Sequence, residues 1–244
     1  MGKKFSEIRR SSMTTFNAPL RWEASIAKRL QSYSPDAIDR EFVFSCSISD
    51  FFIEEADAWR DEAWEIIRKT PHLTYQILTK RPERIAEHLP DTCFQCGEKW
   101  FRHYASIPFL SPHQGWPWPN VWLGTSVENQ KYAEIRIPQL VSVPAKVHFL
   151  SCEPLLGPID FHINREKGEF PDIDRAFSLL NDVEWVIVGG ESGPNFRPMD
   201  LEWARGIRAQ CAAAGVPFFY KQGSGPHSEM NPILDGREWR EFPK

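Results

Sequence analysis

Six short apolar runs in this sequence each lead into residues able to do chemistry. Phe42 to Ser47 (FVFSCS) leads into Ser47, Ser49 and Asp50; Thr74 to Thr79 (TYQILT) leads into Thr79, Lys80 and Arg81; Val121 to Ser126 (VWLGTS) leads into Thr125, Ser126 and Glu128. Lys146 to Ser151 (KVHFLS) leads into Ser151, Cys152 and Glu153; Glu184 to Gly189 (EWVIVG) leads into Gly189, Gly190, Glu191 and Ser192; Pro217 to Gln222 (PFFYKQ) closes on Lys221 and Gln222. Four carboxylates and three cationic side chains thus follow apolar runs. Carboxylates so placed can take a proton or hold an ammonium group, and the lysines and Arg81 can hold an anion. The Gly189-Gly190 pair lets a ligand approach the backbone.

Each group also has a purely structural role open to it. Asp50 and Glu128 can cap the helices that follow. Lys80 and Arg81 can be solvent-facing charges, although Pro82 fixes a helix start after them and so sets them where an anion would meet the helix dipole. Glu153 before a proline and Glu191 after two glycines point more strongly to a ligand. The chain has no GxGxxG fingerprint, Walker loop, HExxH or GxSxG, so dinucleotide, P-loop, zinc-peptidase and serine-hydrolase sites lose support.

Cys93-x2-Cys96 is the one spacing typical of a metal site, and it points to zinc. The nearest histidines, His103 and His113, match no common ligand pattern, so zinc and a pair of reduced thiols both stay open. Cys46 and Cys152, within or at the end of strands, read as small core residues. Trp59, Trp64 and Trp185 fall at core positions, which leaves Trp116 and Trp118 to serve a ligand.

The elements that must position these groups follow from pattern. The six runs are continuous rather than alternating, as in strands buried on both faces. Asp57 to Lys69 reads as a helix burying Ala58, Trp59, Ala63, Trp64, Ile66 and Ile67. Glu128 to Val141 contains Pro138 and is expected to kink or restart. Asp200 to Ala214 opens on a capping residue and stops at Gly215. Trp22 to Tyr33 reads as a further amphipathic helix. Alternating strands and helices predict an α/β fold, an incomplete TIM-like (β/α) barrel with mostly parallel strands whose first strand is missing. Ligands of such folds bind at the carboxyl ends of the strands. We expect a single domain over residues 1–244, flexible over 1–15, with an inserted Cys/Pro/Trp-rich loop at 90–120 and a polar insertion from Pro154 to Asp182.

At 244 residues with 41% apolar and 13% aromatic side chains, the chain is too hydrophobic for disorder. The net charge of −4 advertises no global nucleic-acid field, although the first forty residues are basic. No run of apolar residues is long enough to cross a membrane. Five cysteines, an odd count, without a secretory apolar region predict a reducing cytoplasm.

The strings LTKRPERI at 78–85, NVWLGTSVENQ at 120–130, FLSCEPLLGPID at 149–160 and WVIVGGESGPNFRPM at 185–199 resemble a phage-associated family, the phage Gp thirty-seven / Gp sixty-eight family. TTFNAPLRW, SDFFIEEADAWRDEAW and GVPFFYKQ extend the resemblance over about residues 14–244. Such proteins look like radical S-adenosylmethionine enzymes, in which three cysteines near the N-terminus hold a four-iron four-sulfur cluster. That motif, a GC...GCxxCYA segment, has no counterpart here, so an iron-sulfur cluster is not expected on this chain. Cys93, Cys96 and Cys46 are not substitutes for it. Gly189-Gly190-Glu191 follows a late strand and does not take the methionine-binding role of an early GGE triplet; by position Ser49 and Asp50 do.

The reading that follows is a phage- or prophage-type protein, a poor catalyst as it stands, with S-adenosylmethionine as the expected cofactor. Its site would be lined by Ser49, Asp50, Lys80, Arg81, Ser126, Glu128, Glu153, Gly189, Gly190, Glu191 and Lys221, with zinc expected at Cys93 and Cys96. A nucleic-acid target is suggested by the phage resemblance and the basic first forty residues. The alternative is a non-catalytic binding or assembly module whose open barrel edge is covered by a partner protein or a second copy. A zinc phosphohydrolase would need histidines at the strand ends, and His148 lies inside a strand.

Overall fold

The computed structural model describes residues 11–30, 41–45, 49–97, 99, 115–163 and 177–243. Helices run over Met13–Phe16 (α1), Ala18–Leu30 (α2), Asp57–Arg68 (α3), Gln130–Val141 (α4) and Leu201–Ala214 (α5). Strands run over Glu41–Ser45 (β1), Leu73–Thr79 (β2), Val121–Ser126 (β3), His148–Cys152 (β4), His162–Ile163 (β5), Phe177–Ser178 (β6), Trp185–Gly189 (β7) and Phe218–Gln222 (β8). Six strands follow the order β1-β2-β3-β4-β7-β8 in one sheet, and β5 and β6 make a separate antiparallel pair. Pairing is parallel at β1/β2, β3/β4, β4/β7 and β7/β8. The order never reverses. A doubly wound sheet reverses at a switch point, whereas a (β/α) barrel adds strands in sequence, so this is the order of an open, barrel-type α/β sheet.

The contacts divide the chain into two compact units. Unit 1 comprises Met1–Ile77, Arg84–Trp122 and Pro144–Lys146; unit 2 comprises Leu78–Glu83, Leu123–Val143 and Val147–Lys244.

In unit 1, α3 buries Arg60, Trp64, Ile66 and Ile67, while Ala58 is exposed and Trp59 only half-buried. This corrects the expected face: it turns toward Arg60, because that guanidinium finds acceptors. Arg60 Nε donates to Phe51 O at 3.1 Å, and Nη2 donates to Ile53 O at 2.9 Å and pairs with Asp57 at 2.6 Å. Trp116 and Trp118 are not left for a ligand either. Trp118 is fully buried with ring contacts to Trp64 and Phe94, and Trp116 meets Trp64 edge-to-face and donates to Pro144 O at 2.6 Å. A tryptophan run between prolines is simply the aromatic core of this unit.

In unit 2, β4, β7 and the part of β3 from Leu123 on are buried throughout, as two-sided burial requires. Gly124 is needed where Phe149 of the neighbouring strand packs, since a Cβ there would lie 2.4 Å from its ring. Helix α4 is one helix through Pro138, without the restart the proline suggested. Pro138 sits in its last turn, and the carbonyl it leaves unpaired belongs to exposed Glu134. Helix α5 is capped as expected: Asp200 Oδ1 accepts from Glu202 N at 2.9 Å, and Gly215 closes it at φ 70°. The chain's own tail lies against β8, with Tyr220 N donating to Trp239 O at 2.9 Å and Glu241 N to Phe218 O at 3.2 Å. The Cys46 and Ser47 end of the first run, His103, His113, residues 98 and 100–114 of the first insertion and residues 164–176 of the second lie outside the described residues.

Candidate functional site at the carboxyl ends of the strands

Lys80, Arg81, Ser126, Glu128, Glu153, Gly189, Gly190, Glu191 and Lys221 all belong to unit 2. They sit at the carboxyl ends of β2, β3, β4, β7 and β8. The parallel registers set these ends on one edge of the unit. Ser126 lies beside Ser151, Cys152 beside Val188, and Gly189 beside Gln222.

The loops are fastened to one another by backbone bonds. Leu156 N donates to Glu128 O at 2.8 Å, Leu155 N to Gly189 O at 2.9 Å, and Gly190 N to Gln222 O at 2.9 Å. Thr125 Oγ1 donates to Thr79 O at 2.9 Å beneath them. The edge is therefore held in shape before any side chain contributes.

Glu128 is buried and doubly paired. Lys80 Nζ lies 2.5 Å from Oε1 and Arg136 Nη1 lies 2.8 Å from Oε2. It does not cap α4, because Asn129 does that through Oδ1 to Tyr132 N at 3.3 Å. Glu153 is bound by Lys221 Nζ at 2.7 Å and by Gln222 Nε2 at 3.3 Å. Buried Gln222 also donates to Gly190 O at 2.9 Å. Glu191 receives three bonds from Arg197: backbone N at 2.8 Å, Nε at 2.7 Å and Nη2 at 2.9 Å. The Arg197 side chain and backbone bonds hold its carboxyl well below the usual range, at about 2.

The glycine pair makes room for protein rather than ligand. A Cβ on Gly189 would stand 3.1 Å from Glu153 Cδ, and one on Gly190 would stand 2.5 Å from the backbone N of Ser224. Arg81 N donates to Thr79 Oγ1 at 2.9 Å, and the helix expected from Pro82 is a single 3-10 turn, Pro82–Arg84, with little dipole to offer an anion.

Ser49, Asp50, Cys93 and Cys96 belong to unit 1. Ser49 is exposed; Asp50 Oδ1 accepts from Phe52 N at 2.9 Å, a side-chain turn ahead of the next helical element rather than the helix cap expected, since α3 starts after Ala56. Cys93 and Cys96 share one turn. His148 lies at the amino end of β4 with Nδ1 3.1 Å from Asp182 O and Nε2 2.7 Å from Val143 O, so both ring nitrogens face carbonyl oxygens rather than a metal.

Sequence reasoning named Gln222 at the end of its run beside Lys221, but missed Arg136 and Arg197 as parts of this edge. For Arg136, mid-helix, and Arg197, six residues after Glu191, only the folded geometry supplies the partner.

A family model described as a protein of unknown function (DUF5131) matches residues 2–243. The chain belongs to that family. No curated protein and no solved structure matches this DUF5131 chain.

An iron-sulfur cluster needs three thiolates, and the described cysteines of the DUF5131 chain do not fit one. Cys152 and Cys211 are buried in unit 2, where burial pushes the Cys152 thiol well up and the Cys211 thiol up to about 12. Those sulfurs are core thiols. Among the described residues no three His, Cys, Asp or Glu side chains gather as a metal site. No helix among them is long and apolar enough to cross a membrane.

Proposed function

We propose that this chain binds a small zwitterionic molecule of the S-adenosylmethionine type at the carboxyl ends of β2, β3, β4, β7 and β8. We read it as a phage-type relative of radical S-adenosylmethionine proteins, acting as a binder in the reducing cytoplasm; Cys93, Cys96, Cys152 and Cys211 form no disulfide. The observation that carries this reading is the pair of half-open ion pairs. Glu153 and Glu128 are held in place by further donors, while their partners Lys221 and Lys80 keep 51% and 53% of their side chains exposed. An incoming carboxylate can take a lysine, and an incoming ammonium can replace that lysine on the acid. Anchored acids with exchangeable cations are what an amino-acid headgroup needs. Because the described cysteines do not fit a cluster, the reading is of binding and includes no radical step.

Equilibrium dialysis with labelled S-adenosylmethionine tests it. Saturable binding is expected, weakened at least about tenfold in Glu153→Gln and Lys221→Met, since a charge-assisted hydrogen bond contributes about 1.5 kcal/mol or more. No saturable binding, or variants that bind like the parent, would refute it.

A second reading rests on β1. This strand stands first in the order, with β2 as its one strand neighbour among the described residues, and carries Phe42 and Phe44, both exposed. Edge strands with exposed aromatic side chains are pairing surfaces. On this reading the protein is an assembly module and a second copy adds to β1, whereas the β8 side is met by the chain's own tail. Light scattering after size exclusion should show a dimer in the parent and a monomer in Phe44→Lys; a monomeric parent would refute it.

A further inference from the structure

The turn bearing Cys93 and Cys96 is organised around sulfur. Gly97 N donates to Cys93 O at 3.0 Å, closing the turn, and Gly97 adopts φ +77°, which a side chain would strain. Inside the turn the Cys93 thiol donates to Gln95 Oε1 at 3.2 Å. A positive charge completes the surroundings. Arg68 lies against Gly97, its Cζ 2.9 Å from where a Cβ would stand, and Glu65 fixes it through Nε–Oε2 and Nη2–Oε1 bonds of 2.8 Å each. Phe94, between the two cysteines, packs on Trp118 at 5.5 Å and anchors the turn to the aromatic core of unit 1.

This is the reverse of the setting of Cys152 and Cys211. Cys152 and Cys211 are separate core thiols, whereas Cys93 and Cys96 share one closed turn beside the Arg68 guanidinium. Cys93 is buried and fixed while Cys96 is exposed. One sulfur is thus anchored and its neighbour faces solvent. A turn closed by Gly97 N on Cys93 O, a left-handed glycine after the second cysteine and a two-residue spacer suit a chelating pair of thiolates.

We propose that Cys93 and Cys96 form a two-thiolate site for a soft divalent cation, zinc being the expected occupant, with the remaining coordination positions open to water or another donor. Two S–H bonds lose their protons to solvent and two S–Zn bonds of about 2.3 Å form, with no change of oxidation state. This site is independent of the strand-end ligand site, so either can fail without the other.

The test uses the full-length reduced protein. Equilibrium dialysis against Zn²⁺ should give one bound ion per chain, and Cd²⁺ should give a sulfur-to-metal charge-transfer band. Both should be lost in Cys93→Ser and in Cys96→Ser. In the unmodified sequence, Zn²⁺ should slow alkylation of Cys96 at least about tenfold, because a coordinated thiolate is a poor nucleophile; this readout needs no variant to fold. No bound metal, a band that survives both substitutions, or an unprotected Cys96 would overturn the proposal.

Discussion

Arg136 donates through Nη1 to Glu128 Oε2 at 2.8 Å and through the same atom to Ser126 O at 2.9 Å, tying α4 to the end of β3. Lys80 reaches the other Glu128 oxygen from a half-exposed position. The two cations are therefore unequal. Arg136→Leu strands a buried carboxylate and a carbonyl, and is expected to cost about 3 kcal/mol in urea denaturation. Lys80→Met should cost less than about 1 kcal/mol, as an exposed partner does. Equal losses would show that Glu128 does not depend on α4.

The glycines give a signed pair. Gly190→Ala pushes a methyl into the Gly223–Ser224 backbone and should destabilise unit 2 by about 2 kcal/mol. Gly206, inside α5 with nothing near its missing Cβ, should respond oppositely. Gly206→Ala is expected to stabilise by about 0.5–1 kcal/mol through helix propensity and chain entropy. Thermal melts read both signs.

Much of this architecture was legible in the sequence. Val121–Ser126 matches its run at both ends, and β7, β8 and α5 each begin one residue later than read, because Glu184, Pro217 and Asp200 lead in rather than join. Continuous apolar runs announce two-sided burial, and capping residues announce ends. What pattern does not carry is partnership across the chain. Arg60 looks like a surface charge by its type, yet it is buried because three oxygens converge on it. Trp116 and Trp118 sit among prolines like loop residues, yet fill a core. Glu128 looked like a cap until Asn129 was seen to occupy that role. Glu128 and Glu191 follow apolar runs in plain sight, but their partners Arg136 and Arg197 lie where only folding brings them.

The Glu191 loop should be sensitive to acid. Its carboxyl is held at about 2 against an ordinary value of 4.5, so the stabilisation from Arg197 is complete above 4.5 and is lost as pH falls toward 2. Arg197→Gln should move the Glu191 carboxyl titration, followed by carbon-13 NMR, back up toward its ordinary range. An unchanged titration would mean that the three bonds do not persist in solution.

The cysteines should separate by reactivity. In iodoacetamide at pH 8, Cys96 should react in the native protein, whereas Cys152 and Cys211, buried with thiols pushed up, should react only after denaturation. Native labelling of Cys152 would contradict their place in the core.

The ligand edge itself is tested by an amide NMR titration with S-adenosylmethionine. The account predicts that shifts concentrate at residues 79–81, 126–130, 153–156, 189–192 and 221–224, the ends of five neighbouring strands. No perturbation at saturating ligand, or shifts gathered at the amino ends of those strands instead, would contradict it.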